Sequence, residues 1–313
     1  VHQIKKLEDA GCEIIRVSVP TPVAAENLGK IKKQIRIPLV ADVHFNYRLA
    51  LMAVKNGADK IRINPGNIGS RKRVESILQE AHERGIPVRI GVNAGSLEKR
   101  IIKNYGGITA EGLVESALNH LMICEDMGFQ NIVVSIKASR VPLMIEANRL
   151  LSEKIPYPIH LGVTEAGSVN TGVLRSAVGI GALLSEGIGD TIRISLTGDP
   201  VEEVKAGYEI LKTLHLRKRG LTIISCPTCG RTEINVVSII EKIEQALGNS
   251  DLPITIAVMG CAVNGPGEAR EADIGVACGK HDALLFRKGE VIRKIKEEEI
   301  VPTLVEEVVQ WSE

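Results

Sequence analysis

Aromatic side chains are scarce in this 313-residue chain: one Trp, four Tyr and three Phe. That is too few for the stacking platforms on which proteins grip single-stranded bases, and it leaves Ile, Val and Leu to build the core. Excess charge is missing as well. Lys and Arg total 39 against 38 for Asp and Glu, a net charge of +1, which argues against nucleic acid as a partner. Long apolar runs are absent, and the most apolar stretch, Ser176 to Ser185, falls well short of the ~20 residues of a membrane span. With no apolar leader and no initiating Met, the expectation is a cytoplasmic protein seen as a fragment or processed chain. Six cysteines are too sparse for a disulfide scaffold. Three of them, Cys226, Cys229 and Cys261, nevertheless sit in Gly- and Pro-rich turns, which suggests a metal site.

Short β-branched runs recur with helix-period segments between them: IIRVSVP from Ile14, PLVADVHF from Pro38, KIRINPGN from Lys60, PVRIGVN from Pro87, NIVVSIKAS from Asn131, PIHLGVTEA from Pro158 and TIRISLTG from Thr191. Apolar spacing such as Val74, Ile77, Leu78, Ala81 marks the helices, and the last one opens with Asp199 as cap and Pro200 in its first turn. Strand, helix, strand in this rhythm predicts a parallel sheet with right-handed crossovers. Because the chain opens on a helical pattern that should follow a strand, the expected fold is an α/β (β/α)8 TIM-type barrel lacking its first strand. A doubly wound open sheet has the same periodicity. Past Leu214 the rhythm changes. A basic stretch, His215 to Gly220, leads into strands without regular crossovers, a helix over 233–247, a hairpin around Lys288-Gly289 and a terminal helix from Glu297. The expected domains are 1–217, the barrel, and 218–313, a smaller α+β domain.

Four strand candidates carry an arginine inside an apolar run (Arg16, Arg62, Arg89, Arg193) and a fifth carries Lys137. An ionised side chain in a covered parallel strand is costly unless paired, and arginine does not escape by losing its proton. The carboxylates placed similarly are only Asp42 and Glu165, so positive charge is left over near the strand ends where barrel active sites lie. Bidentate arginines in that setting suit a diphosphate or two phosphates; the bland alternative has each arginine pairing with a helix carboxylate at the opposite barrel mouth. Asn64, Asn93, Ser135 and Ser195 fall at even spacing from a cation and are candidate neutral hydrogen bonders on the same face. His44, two residues beyond Asp42, is a candidate proton donor or orienter.

CPTCG supplies Cys226 and Cys229, and GCAVNGPGE supplies Cys261. Zinc takes four ligands, and the possibilities for a fourth are Glu268, Cys278 or none. An iron–sulfur cluster accounts for three thiolates better, since its fourth iron can be left to a weaker oxygen ligand or to substrate. Cys12, Cys124 and Cys278 lie among apolar residues and read as structural. The residues alone leave room for a rival from another class, a zinc-stabilised anion-binding module on a barrel.

RVSVP, PLVADVHF, RINPGNIG, PVRIGVNAGSLEK, SIKAS, LGVTEAG, DPVEEVKAGYEILK, CPTCGR and GCAVNGPGEA occur in order along nearly the whole chain. With them the chain resembles the 4-hydroxy-3-methylbut-2-enyl diphosphate synthase family (IspG or GcpE) of the non-mevalonate isoprenoid pathway, without that family's N-terminal segment. The resemblance implies a barrel joined to a domain similar to the cluster module of sulfite and nitrite reductases. It also implies a 4Fe-4S cluster on Cys226, Cys229, Cys261 and Glu268, a homodimer, and flavodoxin or ferredoxin as electron donor. The implied reaction is the reductive ring opening and dehydroxylation of 2-C-methyl-D-erythritol 2,4-cyclodiphosphate. Glu165, in TEAG, is then the expected proton donor, with Glu268, His44 and Asp42 as further catalytic candidates. Asn264 joins Arg16, Arg62, Asn64, Arg89, Asn93, Lys137, Arg193 and Ser195 as an expected substrate contact.

Overall fold

The computed structural model describes residues 1–248, 250–261, 267 and 270–311. It divides into two compact units, Val1–Leu214 and His215–Glu313.

In the first unit seven parallel strands follow one another in space as they do in sequence: β1 (Ile15–Ser18), β2 (Leu39–Val43), β3 (Lys60–Ile63), β4 (Val88–Asn93), β5 (Ile132–Lys137), β6 (His160–Leu161) and β7 (Thr191–Ile192). β1 to β5 form one sheet, β6 pairs with β7, and a Val134–Ile159 bridge joins the two groups. This strictly sequential order, with no reversal point, is barrel topology and rules out the doubly wound alternative. Among the described residues β1 and β7 have no further strand neighbour. The helices beside those two strands nevertheless touch, because Tyr208 in α10 (Pro200–Thr213) donates from its hydroxyl to the carbonyl of Gly11, just past α1 (His2–Asp9), at 2.9 Å.

Helices start where the caps predict. Asp199 Oδ1 accepts from Val201 N–H at 3.0 Å, with Pro200 at the first helical position. On α5 (Arg71–Glu83) the residues Val74, Ile77, Leu78 and Ala81 are all buried against the strands. Two strands differ from expectation: β6 and β7 are two residues long, and Arg193 and Ser195 lie beyond β7. The chain there meets polar neighbours instead of a full ladder, although Arg193 N–H still donates to Leu161 O at 2.9 Å.

The second unit is a mixed sheet in the order β12-β11-β10-β9-β8, covering Thr222–Ser225 (β8), Thr255–Met259 (β9), Ile274–Cys278 (β10), Asp282–Arg287 (β11) and Glu290–Lys296 (β12). The expected helix, α11 (Val236–Leu247), connects parallel β8 and β9, while β10, β11 and β12 follow one another antiparallel without a helix between them. That helix begins at Val236 and not at Glu233, because the Asn235 side chain caps it by accepting from Ser238 N–H. The segment from Glu297 is first a 3-10 turn and becomes α-helical over Ile300–Gln310. The predicted hairpin turn is present, with Lys288 and Gly289 both at positive φ, as a two-residue primed turn requires.

Candidate active site

Register places the buried charges. Asp42 on β2 lies opposite Arg62 on β3, and Arg62 lies opposite Arg89 on β4, so the three form one rung across the sheet. Higher up, Gly91 pairs with Ser135 and Asn93 with Lys137. Strand alternation thus keeps Arg89, Gly91, Asn93, Ser135 and Lys137 on one face, as expected for the neutral hydrogen bonders.

Asp42 serves two cations, with Arg62 Nη1 at 3.0 Å from Oδ1 and Arg16 Nη1 at 3.1 Å from Oδ2. Exposed His44 brings Nε2 to 3.6 Å from Oδ2 of the same carboxylate. The bland reading of arginines paired with helix carboxylates is therefore incorrect for Arg16 and Arg62, whose shared partner is on a strand. Arg62, Arg89 and Lys137 are each less than a tenth exposed. Among the described residues Arg89 and Lys137 have no ion pair, and the Nε atoms of Arg62 and Arg89 have no hydrogen-bond partner. Like charges on adjacent strand positions repel, and an orphaned buried N–H costs ~1–3 kcal/mol. Burial and then the charge of Arg193 lower Arg16 to about 10, while burial and then Arg16 and Arg62 lower Arg89 to about 9, so both stay cationic at neutral pH. Burial first, and then the surrounding arginines, push Lys137 well below its ordinary value. Burial, the largest single effect, raises the Asp42 carboxyl, but Arg16, Arg62 and His44 together outweigh it and hold the group below its ordinary value.

Space for these cations is cut by glycine. A Cβ on Gly91 would sit 2.7 Å from Arg62 Nε, and one on Gly162 would sit 2.6 Å from Lys137 Nζ. Neither glycine is distinguishable as a cradle in sequence. His160 is equally inconspicuous in the sequence, where its one signal is a histidine in a buried strand run, yet its Nε2 lies 3.3 Å from Lys137 Nζ.

Around the strand ends, Asn93, Ser96, Ser139, Arg140, Thr164 and Glu165 help line a cleft of about 380 Å³. Glu165 is exposed and stands at φ +53°, a conformation few non-glycine residues adopt and one that accumulates at functional sites. Among the described residues it forms no ion pair with a strand arginine. Asn64 Nδ2 donates to Ser96 Oγ at 3.0 Å and its Oδ1 caps Gly66 N–H, which ties the loops after β3 and β4 together. Behind them Glu98 accepts from Ser116 Oγ at 2.8 Å and lies 3.1 Å from His120 Nε2; these contacts, His120 first, lower its carboxyl to about 2. No hydrogen bond links Ser195 to a cation among the described residues.

In the second unit Cys226 follows β8 and Cys261 follows β9, at the same end of two adjacent parallel strands. Gly260 N–H donates to Cys226 Sγ at 3.2 Å, and Glu233 N–H donates to Gly260 O at 3.0 Å, which stitches the CPTC loop to the strand bearing Cys261. All three thiols are free, and Cys229 is exposed, its thiol lowered chiefly by the Arg231 backbone N–H. Cys278 is fully buried in β10 and burial pushes it up to about 12, a packing thiol. Among the described residues no three Cys, His, Asp or Glu side chains converge as a metal site. Glu268 and Asn264 lie outside the described residues. The donor set nonetheless fits a sulfur-liganded cluster: uncrosslinked thiols at neighbouring strand ends, one already accepting an N–H···S bond and one biased toward thiolate.

A family model for the GcpE TIM-barrel domain matches residues 1–208, and one for the GcpE protein C-terminal domain matches residues 222–310. Proteins named 4-hydroxy-3-methylbut-2-en-1-yl diphosphate synthase (flavodoxin) are similar over almost all of the chain. That of Ruminiclostridium cellulolyticum is 59% identical, covering 98% of this chain and 87% of its own. That of Anoxybacillus flavithermus is 56% identical over 100% and 86%, and that of Geobacter sulfurreducens 55% over 98% and 87%. With its barrel of buried cations, its cysteine-bearing second sheet and these relatives, the chain belongs to the GcpE family of 4-hydroxy-3-methylbut-2-en-1-yl diphosphate synthases.

Proposed function

We propose that this chain converts 2-C-methyl-D-erythritol 2,4-cyclodiphosphate into (E)-4-hydroxy-3-methylbut-2-enyl diphosphate in the cytoplasm, with flavodoxin or ferredoxin as electron donor. Two electrons and two protons enter, the carbon–oxygen bond closing the ring breaks, and one hydroxyl leaves as water. The observation that carries this reading is the rung of buried cations served by one carboxylate, Asp42. Such a site is electrostatically incomplete without an anion of several charges, and a cyclic diphosphate supplies one.

Residues 1–217 hold the substrate and residues 218–313 hold the cofactor in this proposal. Arg16, Arg62, Arg89, Lys137 and Arg193 bind the diphosphate oxygens, with Asn64, Asn93, Ser195 and Asn264 completing its polar contacts. Cys226, Cys229 and Cys261, with Glu268 as fourth ligand, would hold a 4Fe-4S cluster, which when bound would supply electrons one at a time. Asp42 orients Arg16 and Arg62, His44 being held at the same carboxylate. Glu165 sits in the cleft on a strained backbone and delivers the proton that lets hydroxide leave as water. The active form is a homodimer in which each cluster domain serves its partner's barrel. In the full-length protein, a cluster-dead Cys226→Ser chain mixed with a pocket-dead Arg193→Ala chain should regain activity.

The reading is tested by substrate titration and by iron analysis. Alanine at Arg62, Arg89, Lys137 or Arg193 should each remove a charge-assisted contact of ~1.5–3 kcal/mol, roughly a ten- to hundredfold loss of affinity. Unchanged affinity in all four would place the pocket elsewhere. After anaerobic reconstitution, serine at Cys226, Cys229 or Cys261 should abolish stoichiometric iron, while Cys12→Ser and Cys124→Ser retain it. Stoichiometric zinc in a colourless protein would instead support a zinc-stabilised module.

A further inference from the structure

Lys137 carries its amino group into the barrel, and among the described residues its one hydrogen-bonding neighbour is Nε2 of His160 at 3.3 Å. His160 is itself buried, and its Nδ1 lies 2.8 Å from the Thr191 hydroxyl. In the protonated state that meets an anion, Lys137 has donors and no lone pair, so Nε2 then accepts from Nζ. The ring proton is then on Nδ1, donated to Thr191 Oγ1. Burial, reinforced by the charge of Lys137, keeps this imidazole neutral. Lys137 thus selects the tautomer, and Thr191 holds the ring from behind by accepting the Nδ1 proton, in the way a second partner orients a metal-bound or catalytic histidine.

The arrangement is built into the sheet. His160 on β6 and Thr191 on β7 are direct partners in the two-residue pairing of those strands, and the same ladder continues through the Arg193 N–H to Leu161 O bond. Two residues along from His160, Gly162 leaves open the volume that Lys137 Nζ occupies; a Cβ there would lie 2.6 Å from Nζ and 2.6 Å from Arg193 O. A neutral acceptor on one side and a missing side chain on the other hold the ammonium without neutralising it. Asp42 plays a different part for Arg16 and Arg62, because a carboxylate cancels the charge it orients. One of the three ammonium donors is taken by His160, which leaves two for substrate oxygens.

We propose that His160, with Thr191 behind it, is a positioning residue that holds Lys137 in its anion-binding orientation. This rests on the reading of Lys137 as a diphosphate ligand, and it adds two residues, His160 and Thr191, that touch no substrate.

The test is a double-mutant cycle in the full-length, cluster-loaded protein, reading affinity for the cyclic diphosphate by titration. His160→Leu should weaken binding about tenfold, and His160→Gln, which keeps an acceptor in reach of Nζ, should recover most of that loss. Thr191→Val, nearly isosteric, should weaken binding several-fold, whereas Thr191→Ser should bind normally. In a Lys137→Met background, His160→Leu should add nothing, since the group it positions is gone. A merely structural histidine would add its cost to that of Lys137→Met and would not distinguish Thr191→Val from Thr191→Ser. Additive losses, or normal binding by His160→Leu, overturn the proposal. If His160→Leu does not fold, the Thr191 pair in the two Lys137 backgrounds decides on the same criteria. Normal binding by Lys137→Met alone refutes the diphosphate reading of Lys137 itself and this inference with it, whereas weak Lys137→Met beside normal His160→Leu refutes only the inference.

Discussion

Asp42→Asn is the most informative perturbation of the barrel, because it removes the one carboxylate shared by Arg16 and Arg62 and changes little in volume. Its side chain is 5% exposed and that of Arg62 is 5% exposed, so the pair is desolvated, while Arg16 at 27% is partly screened. Breaking a buried pair from one side costs ~3–5 kcal/mol because the remaining charge is left uncompensated. Screening at Arg16 argues for the lower end, about 3 kcal/mol, which at ~2–4 °C per kcal/mol for a unit of this size lowers Tm by roughly 6–12 °C. Inorganic diphosphate should restore the missing negative charge. Differential scanning calorimetry with and without it should therefore show the gap between variant and wild type narrowing by at least half at saturation. A variant as stable as wild type, or a gap that diphosphate leaves unchanged, would refute the claim that the rung of cations is held together by anions.

Gly91→Ala should weaken diphosphate binding about tenfold and lower Tm as well, because the new methyl displaces the buried Arg62 guanidinium from the position Asp42 gives it; normal titration would show the cradle to be incidental. Glu165→Gln should keep a normal cluster spectrum and near-normal substrate affinity while turnover falls at least ~100-fold, and normal turnover would remove Glu165 from the proton path. Glu98 has a carboxyl lowered to about 2, and a depressed carboxylate stabilises the fold above its unfolded value and ceases to do so as pH falls through the folded one. Denaturant midpoints of wild type and Glu98→Gln should therefore differ at pH 7 and converge as pH is lowered from about 5 towards 2. A gap independent of pH would mean that the ionised Glu98, His120 and Ser116 contacts are not what matters.

The part of this architecture legible in the sequence is what repeats: five strands with β-branched runs, the caps at Asp199 and Pro200, and cations at even spacing from Asn64, Asn93 and Ser135. Period-two alternation is a local property, so it survives into the fold. The partners of those cations were not legible, because they come from other strands and depend on register: Arg16 and Arg62 converge on Asp42, not on helix carboxylates, and His160 meets Lys137 from β6. Glycines such as Gly91 and Gly162 look like any strand glycine until the neighbour that fills their space is known. β6 and β7 proved short because a run of β-branched residues signals strand propensity, whereas ladder length depends on what the neighbouring chain offers.

The central claim is tested most directly by supplying the full-length protein, reconstituted anaerobically with iron and sulfide, with 2-C-methyl-D-erythritol 2,4-cyclodiphosphate and reduced flavodoxin, and following phosphorus NMR. The expected result is loss of the cyclic diphosphate signals and growth of those of a linear allylic diphosphate, one product for every two electrons, abolished in Cys226→Ser and slowed at subsaturating substrate in Arg89→Ala. Iron-loaded protein that binds the cyclic diphosphate yet leaves it intact with reduced flavodoxin and with reduced ferredoxin would contradict the account.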